Sequence, residues 1–279
     1  MSKAEAAERT AKTERPVPLG QQKSIEDVLR RIQRPFVPIR STFVQQGKGR
    51  STKPGPVAQF LTSRDGRGLD AYLLVHALAS TPPWDCTLPS GFWVRALGLV
   101  ADANLSDKTL DLARPAVSKV MKRLVDRNLI YRERRQRKSS LVLLREDGSG
   151  LPYLHPFQTN DKWFSLPHDY WHKGHYRRLS LAAKVMLLVS LELPETFSLP
   201  QNRAPSWYGI SEDSANRGLR DLRNADLLHA KQGWVEDARS DTGWTQRWNY
   251  QLVGPYSTAA RKAAAAAAKA SYENDLKEA

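Results

Sequence analysis

The chain contains two stretches that match each other at a fixed alignment: VSKVMKRLVDRNLI, residues 117–130, and ANRGLRDLRNADLL, residues 215–228. In both, apolar side chains recur at helical spacing, while the opposite face is polar or cationic. Both then pass through a polar turn to an apolar pair, Leu129-Ile130 or Leu227-Leu228, which predicts the start of a strand. The sequence therefore predicts one helix–turn–strand unit that occurs twice.

A second pair of matching stretches precedes the first pair. It consists of CTLPSGFWVRALGL, residues 86–99, and FSLPQNRAPSWYGI, residues 197–210. Each predicts a short helix that ends at a glycine, Gly98 or Gly209, because glycine accepts the left-handed conformation of a helix C-cap. The first copy carries extra residues before its second helix, within VADANLSDKTLDLARP. We place the two second helices at residues 115–127 and 212–225.

The residues after each pair predict a two-stranded hairpin. YRERRQRKSSLVLLRE follows Leu129-Ile130, and two short strands, predicted at about 130–132 and 141–145, flank a highly basic tip. HAKQGWVEDARSDTGWTQRWNYQLV follows Leu228, with a polar SDTG turn and alternating Trp248, Tyr250 and Leu252. Helix, glycine turn, second helix and hairpin is the order of a helix-turn-helix with a wing.

On these residues the chain resembles the winged-helix superfamily. ARPAVSKVMKRLVDRNLIYRERRQRKSS is similar to the recognition helix, strand and wing of MarR-type regulators. WYGISEDSANRGLRDLRNADLL resembles the corresponding part of winged helices in regulators and replication initiators of mobile elements. The resemblance implies a mainly α fold with small β-wings (α+β), in two tandem winged helix-turn-helix domains whose aliphatic faces seal two separate small cores.

We divide the chain by composition and pattern into five parts. Most of the N-terminal part is rich in Lys, Arg, Gln, Pro and Ser, which predicts disorder. Its SIEDVLRRIQR favours a transient helix over one that docks on a partner. The parts are a disordered basic arm with a short helix at 24–34 (1–57), the first winged-helix domain (58–148), a linker (149–162), the second winged-helix domain (163–254) and an Ala-rich helical tail (255–279).

Charge favours a polyanionic partner. The 279 residues include 43 Lys and Arg against 29 Asp and Glu, a net charge of +14. No apolar run is long enough to cross a bilayer, the first residues lack the apolar core of a signal peptide, and a single cysteine excludes an internal disulfide. We expect a cytoplasmic, nucleoid-associated protein without membrane contact.

Sequence motifs favour a binding protein over an enzyme. The chain has no Walker-type glycine loop and no GxSxG elbow, so we expect no catalytic residues and no cofactor. HDYWHKGH brings His168, His172 and His175 close in sequence, but Pro167 and Gly174 argue against one continuous helix. We interpret this aromatic-rich segment as part of a core and expect no metal.

Cationic and amide side chains of the two second helices are our candidates for DNA contact. Arg and Lys suit guanine in the major groove, and Asn suits adenine. We therefore assign base reading to Asn216 and Arg217 in the second copy and to Ser118 and Lys119 in the first, and phosphate contacts to Lys122, Arg123 and Arg220. Arg114 and Ser214 complete the helical set. Wing contacts to the minor groove or backbone fall to Arg132, Arg134, Arg135, Arg137 and Lys138.

Three functions are compatible with these patterns. The first is a transcriptional regulator that binds specific double-stranded DNA through both helices. The second is a plasmid or phage replication or partition initiator, and the third is a scaffold whose winged helices bind protein. A single chain could read two adjacent segments of DNA, or one domain could form a homodimer while the other binds DNA. The N-terminal arm is a candidate site for a protein partner.

Overall fold

Two units with the same order of elements dominate the computed structural model, which describes residues 16–47, 49–135 and 138–278. Each unit has a long helix, a short strand, a short helix, a second long helix and a hairpin. The first unit comprises α3 (Gly66–Leu78), β4 (Asp85–Cys86), α4 (Ser90–Ala96), α5 (Asp107–Asp126), β5 (Ile130–Arg135) and β6 (Lys138–Leu143). The second comprises α8 (Leu181–Glu192), β8 (Thr196–Phe197), α9 (Ala204–Tyr208), α10 (Glu212–Asn224), β9 (Leu228–Glu236) and β10 (Trp244–Leu252).

The sheets of the two units also share one strand order. In each, the last strand lies in the middle, so the orders are β4-β6-β5 and β8-β10-β9. All of these strand pairs are antiparallel. The predicted α+β class, helices with small antiparallel sheets, is confirmed.

The remaining elements surround these units. Before the first unit lie α1 (Gln21–Leu29), β1 (Phe36–Arg40), β2 (Gln45–Gln46), β3 (Lys53–Pro54) and α2 (Val57–Thr62). Between the units lie β7 (Trp163–Pro167), α6 (Asp169–His172) and α7 (His175–Arg178), and α11 (Thr258–Glu278) follows the second. The helix α11 is the predicted C-terminal helix, and Arg261 ties its first turns to the Leu191 carbonyl at 2.9 Å. No helix in the described ranges is long and apolar enough to span a membrane.

Both second long helices begin and end with the same local chemistry. Ser106 caps α5 by accepting from the Thr109 amide, and Ser211 caps α10 by accepting from the Ser214 amide. After each helix, one residue has a positive φ, 55° at Asn128 and 56° at Asp226. Asn and Asp tolerate this conformation better than most residues, and it turns the chain into the strand that follows.

The helix predicted at 115–127 begins earlier, at Asp107. Pro115 therefore lies inside α5, although proline removes one helical hydrogen bond. Buried Leu110 before Pro115 and Val117 after it anchor both sides to the core, and the cap at Ser106 sets the start. Much of the insertion in the first copy thus lengthens this helix rather than the loop before it.

The prediction of disorder for residues 1–57 differs from the structure wherever the structure describes them. Residues 1–15 lie outside the described residues. The helix predicted at 24–34 spans 21–29 and packs inside the molecule, where Gln22 Nε2 donates to the Trp171 carbonyl at 2.9 Å. The strand β1 is wholly buried and pairs with β7, from Phe36 opposite Pro167 to Arg40 opposite Trp163. Composition did not reveal this because the partner strand is distant in sequence.

The linker predicted at 149–162 is also packed. Tyr153, His155 and Pro156 are buried. Buried Arg40 donates to Glu146 at 2.7 Å and to Asp161 at 2.8 Å, which ties β1 to both ends of this region. Buried charges are tolerated when they are paired in this way.

The expectation of two separate cores is wrong, because one hydrophobic cluster runs through both units. The helices α3 and α8 are buried on nearly all sides and meet at their N-termini. A Cβ added to Gly66, the first residue of α3, would lie 4.0 Å from Cδ1 of Leu181, the first residue of α8. Lys184 Nζ lies 2.7 Å from Asp70 Oδ2 at the same junction.

Candidate nucleic-acid interface

The helices α5 and α10 present equivalent faces to solvent. At aligned positions the buried residues are Val117 and Ala215, Val120 and Gly218, Met121 and Leu219, Leu124 and Leu222. The exposed residues are Ser118 and Asn216, Lys119 and Arg217, Lys122 and Arg220. The aliphatic side of each helix therefore faces the core, and its cationic side faces water.

Close packing of α10 on α8 explains the glycine within its buried face. A Cβ added to Gly218 would lie 2.6 Å from both the Ala182 carbonyl oxygen and Met186 Cγ. Real Cβ atoms do not approach so closely, so a larger residue would push α10 away from α8. The first unit has Val120 at the aligned position, which shows that the two helices sit at different depths.

On α10, the predicted base-reading side chains are available. Arg217 makes only long contacts, 3.8 Å to Asp213 and 3.5 Å to Ser214 Oγ. Asn216 and Arg220 are exposed and make no side-chain hydrogen bond with any described residue. Ser214, half-buried, donates its amide to the capping Ser211.

On α5, two candidates carry intrahelical ion pairs and two do not. Arg114 lies 2.7 Å from Asp111, and Lys122 lies 2.8 Å from Asp126. Exposed pairs of this kind contribute about 0–1 kcal/mol, so a phosphate could replace either carboxylate. Ser118 and Lys119 are exposed, and their side chains have no polar partner in the part of the chain that the structure describes.

Arg123, predicted to hold a phosphate, is partly exposed but is already paired with a carboxylate of the first unit. Its Nε and Nη2 donate to the Asp65 carboxylate at 2.8 and 2.7 Å, and Arg127 donates to the same carboxylate at 2.8 Å. Burial raises the pKa of Asp65, but hydrogen bonds from Arg123, Arg127 and the Gly68 amide bring it below its ordinary value. Since Asp65 also caps α3, Arg123 holds the start of that helix.

The first hairpin presents cations beside α5. Arg132 and Arg134 are exposed and lie on the same hairpin face as buried Ile130, because side chains two residues apart share a face. Neither has a polar partner within the described ranges. Arg137 lies outside the described residues, as do the side chains of Arg135 and Lys138.

The second hairpin carries exposed tryptophans that the sequence reasoning missed as functional residues. Trp234 is 65% exposed, Trp244 is 48% exposed and Trp248 is 38% exposed. The alternation of Trp248, Tyr250 and Leu252 predicts that these residues share one face of the hairpin. The helix α10 covers only the inner end of this face, the end that lies away from the SDTG turn. The pairing register around the SDTG turn is the signal that places Trp234 on that face, opposite Gln246.

The histidine-rich segment packs in the core as predicted. Tyr170, Trp171 and Tyr176 are buried, together with His168 and His175. Burial and the nearby Arg34 lower the pKa of His168 to about 3, so its ring is neutral at pH 7. No group of metal-ligating side chains is found among the residues that the structure describes.

The two units thus place exposed cations on equivalent helices, each beside a hairpin. Comparison with protein-family models, with curated proteins and with solved structures gives no match.

Proposed function

We propose that this protein is a sequence-specific double-stranded DNA-binding transcriptional regulator with two winged-helix units in one chain. The observation that carries the proposal is the equivalence of α5 and α10. Both are second helices in units of the same strand order, and both expose cations at aligned positions, Lys119 and Arg217. A helix that enters the major groove requires an exposed polar face on a firmly packed support.

The side chains divide between base reading and positioning. Asn216 suits adenine, whereas Arg217 and Lys119 suit the acceptors of guanine. Lys122 and Arg220 lie one turn further along their helices, where we assign them to phosphates. Arg132 and Arg134 extend the cationic surface from α5 onto the first hairpin, which suits the adjacent backbone or minor groove.

The junction between α3 and α8 supports binding by one molecule. Lys184 Nζ of α8 lies 2.7 Å from Asp70 Oδ2 of α3, so the two units are joined within one chain. Ordinary dimeric regulators read two half-sites with two copies of one helix. Here α5 and α10 differ in sequence, so we expect two unlike half-sites and one protein molecule for each site.

The test begins with selection of bound fragments from genomic DNA, followed by titration of the full chain with the enriched site. Lys119→Ala and Arg217→Ala should each weaken the specific site by about 1–3 kcal/mol and relax base preference. Lys262→Ala, an exposed cation on α11, removes the same charge elsewhere and should change affinity little.

The outcomes separate the three functions. Enriched fragments from promoters support the regulator. Repeated sites beside a replication origin would replace it with the initiator. DNA affinity that is unchanged in Lys119→Ala and Arg217→Ala would contradict groove reading and leave the protein-binding scaffold.

A further inference from the structure

Three tryptophans form one exposed face of the second hairpin, here called the tryptophan face (Trp234, Trp244 and Trp248). Residues directly opposite each other in antiparallel strands share a face, and Trp234 pairs with Gln246 while Trp248 pairs with Gln232. Trp244, Gln246 and Trp248 occupy alternate positions along β10 and so share one face, which Trp234 joins through its pairing with Gln246. The three tryptophan rings therefore project from the same side. Gln232 Nε2 donates to Gln246 Oε1 at 2.6 Å between them.

This face is unusual because it leaves large rings in water. Burying a tryptophan removes a large apolar area from water, so these side chains are usually covered. A contiguous exposed apolar patch commonly marks a binding surface. The rings stand about two strand residues apart, roughly 7 Å along the hairpin. That arrangement offers successive aromatic side chains rather than one pocket.

The inner end of the tryptophan face meets the cationic side of α10. A cleft of about 180 Å³ lies there, lined by Asn216, Leu219, Arg220, Arg223, Trp248 and Tyr250. The Arg223 guanidinium stands over the Trp248 ring, 5.4 Å from its centroid. Arg220 is exposed and has no polar partner among the described residues. Aromatic rings and guanidinium groups therefore line one continuous surface.

We propose that the tryptophan face and the adjoining cleft bind unpaired bases of a single DNA strand, an inference that rests on the proposed DNA binding. Single-strand sites combine aromatic stacking platforms with cations that follow the backbone. A paired duplex does not offer its base faces to such rings, because each base is stacked on its neighbours. The surface thus fits unpaired nucleotides better than intact duplex.

The charges around the tryptophan face determine where the phosphates and the bases of a bound single strand lie. Arg220 and Arg223 lie at the inner end, so phosphates pass beside α10. At the outer end, Glu236 is opposite Trp244 and Asp237 follows, which disfavours phosphate there. Bases therefore stack outward from Trp248, and Trp248, next to the cations, contributes more than Trp244.

The experiment measures binding of the full chain to a labelled oligothymidylate of about 20 nucleotides, to a matched duplex, and to a duplex with a central unpaired bubble. Trp248→Ala should weaken the oligothymidylate and bubble complexes roughly tenfold and leave the duplex complex within about twofold. Trp248→Phe, which keeps a ring, should restore most of the affinity. Trp234→Ala is a second variant at a more exposed position, and Tyr131→Ala, which removes an exposed ring from the first hairpin, is the matched control.

Each result has a distinct meaning. Tight duplex binding with no measurable oligothymidylate binding would overturn the inference and leave the proposed function intact. Failure to bind either the duplex or the oligothymidylate would overturn both this inference and the proposed function. Self-association that Trp234→Ala and Trp248→Ala abolish, without loss of oligothymidylate binding, would show that a second copy covers the face. Equal losses for duplex and oligothymidylate in Trp248→Ala would also contradict a single-strand site.

Discussion

The two hairpins occupy equivalent places beside α5 and α10 but carry different chemistry. Arg132 and Arg134 in the first hairpin occupy the same positions in the strand pairing as Ala230 and Gln232 in the second. On the neighbouring strand, Ser139 opposite Arg134 corresponds to Trp248 opposite Gln232. The backbone thus decides which face stands next to the helix, and the side chains decide whether that face suits phosphates or base rings.

A second comparison concerns how each unit fastens its two long helices. In the first, the cap of α3, Asp65, binds Arg123 of α5. In the second, the cap of α8, Ser180, donates to Asp221 of α10 at 2.6 Å. Residues 123 and 221 are aligned, so the contact recurs although its chemistry changes from a carboxylate–guanidinium pair to a hydroxyl–carboxylate pair.

The largest expected effect breaks this contact in the first unit. Asp65→Ala removes the cap of α3 and leaves Arg127, which is mostly buried, without its carboxylate, so we expect a loss of about 3 kcal/mol of unfolding free energy. Ser180→Ala removes a cap and one hydroxyl–carboxylate hydrogen bond and should lose about 1 kcal/mol. Urea unfolding compares the two, and equal losses would contradict a special role for the ion pair.

The same site predicts a pH dependence. The pKa of Asp65 is lower in the folded protein than in the unfolded chain, where it is about 3.9. Its stabilisation is therefore present above about pH 4 and is lost as the pH falls through the folded pKa. Asp65→Asn keeps a capping residue but not the charge, so its stability should fall less than that of the original chain between pH 5 and pH 3. Parallel pH profiles would refute this.

Base reading is expected to be stronger in the second unit. Asn216 and Arg217 can each make two hydrogen bonds to one base. Ser118 and Lys119 make such paired hydrogen bonds less well. We expect Arg217→Ala to lose about 2 kcal/mol at the specific site, more than Lys119→Ala. Competition with single-base variants of the site measures the loss of preference. A larger effect of Lys119→Ala would reverse the order of the two units.

The cationic hairpin should act without regard to sequence. Replacing Arg132 and Arg134 together by Ala should weaken specific and random duplex alike, roughly tenfold, and reduce the salt dependence by about two phosphate contacts. Affinity measured over a range of salt concentrations tests this. Loss confined to the specific site would assign these arginines to base reading instead.

The smallest effect comes from adding one positive charge to the second hairpin. Gln232→Arg places a guanidinium on the second hairpin at the position of Arg134. We expect duplex affinity to rise severalfold and the salt slope to steepen by about one contact. Gln232→Leu controls for loss of the Gln246 hydrogen bond. No gain in duplex affinity would mean that the second hairpin stays away from the duplex.

Much of the repeated architecture is readable in the chain. Apolar spacing in residues 117–130 and 215–228 predicts the buried faces of α5 and α10, and Gly98 and Gly209 mark the turns before them, at φ of 57° and 65°. These features are local, because helical periodicity and positive φ depend on neighbouring residues. The exposure of Lys119 and Arg217 follows from the same periodicity.

Other features depend on partners far away in the sequence. The strand β1 is buried because β7 completes its hydrogen bonds, and the partly exposed Arg123 is paired because Asp65 lies beside it. Residues of α10 meet Trp248 and Tyr250 at the adjoining cleft, while Trp234 and Trp244 further out on the hairpin are exposed. Local pattern shows which face of an element is apolar or charged, whereas long-range packing shows what covers that face, since burial is a property of the neighbours that meet in space.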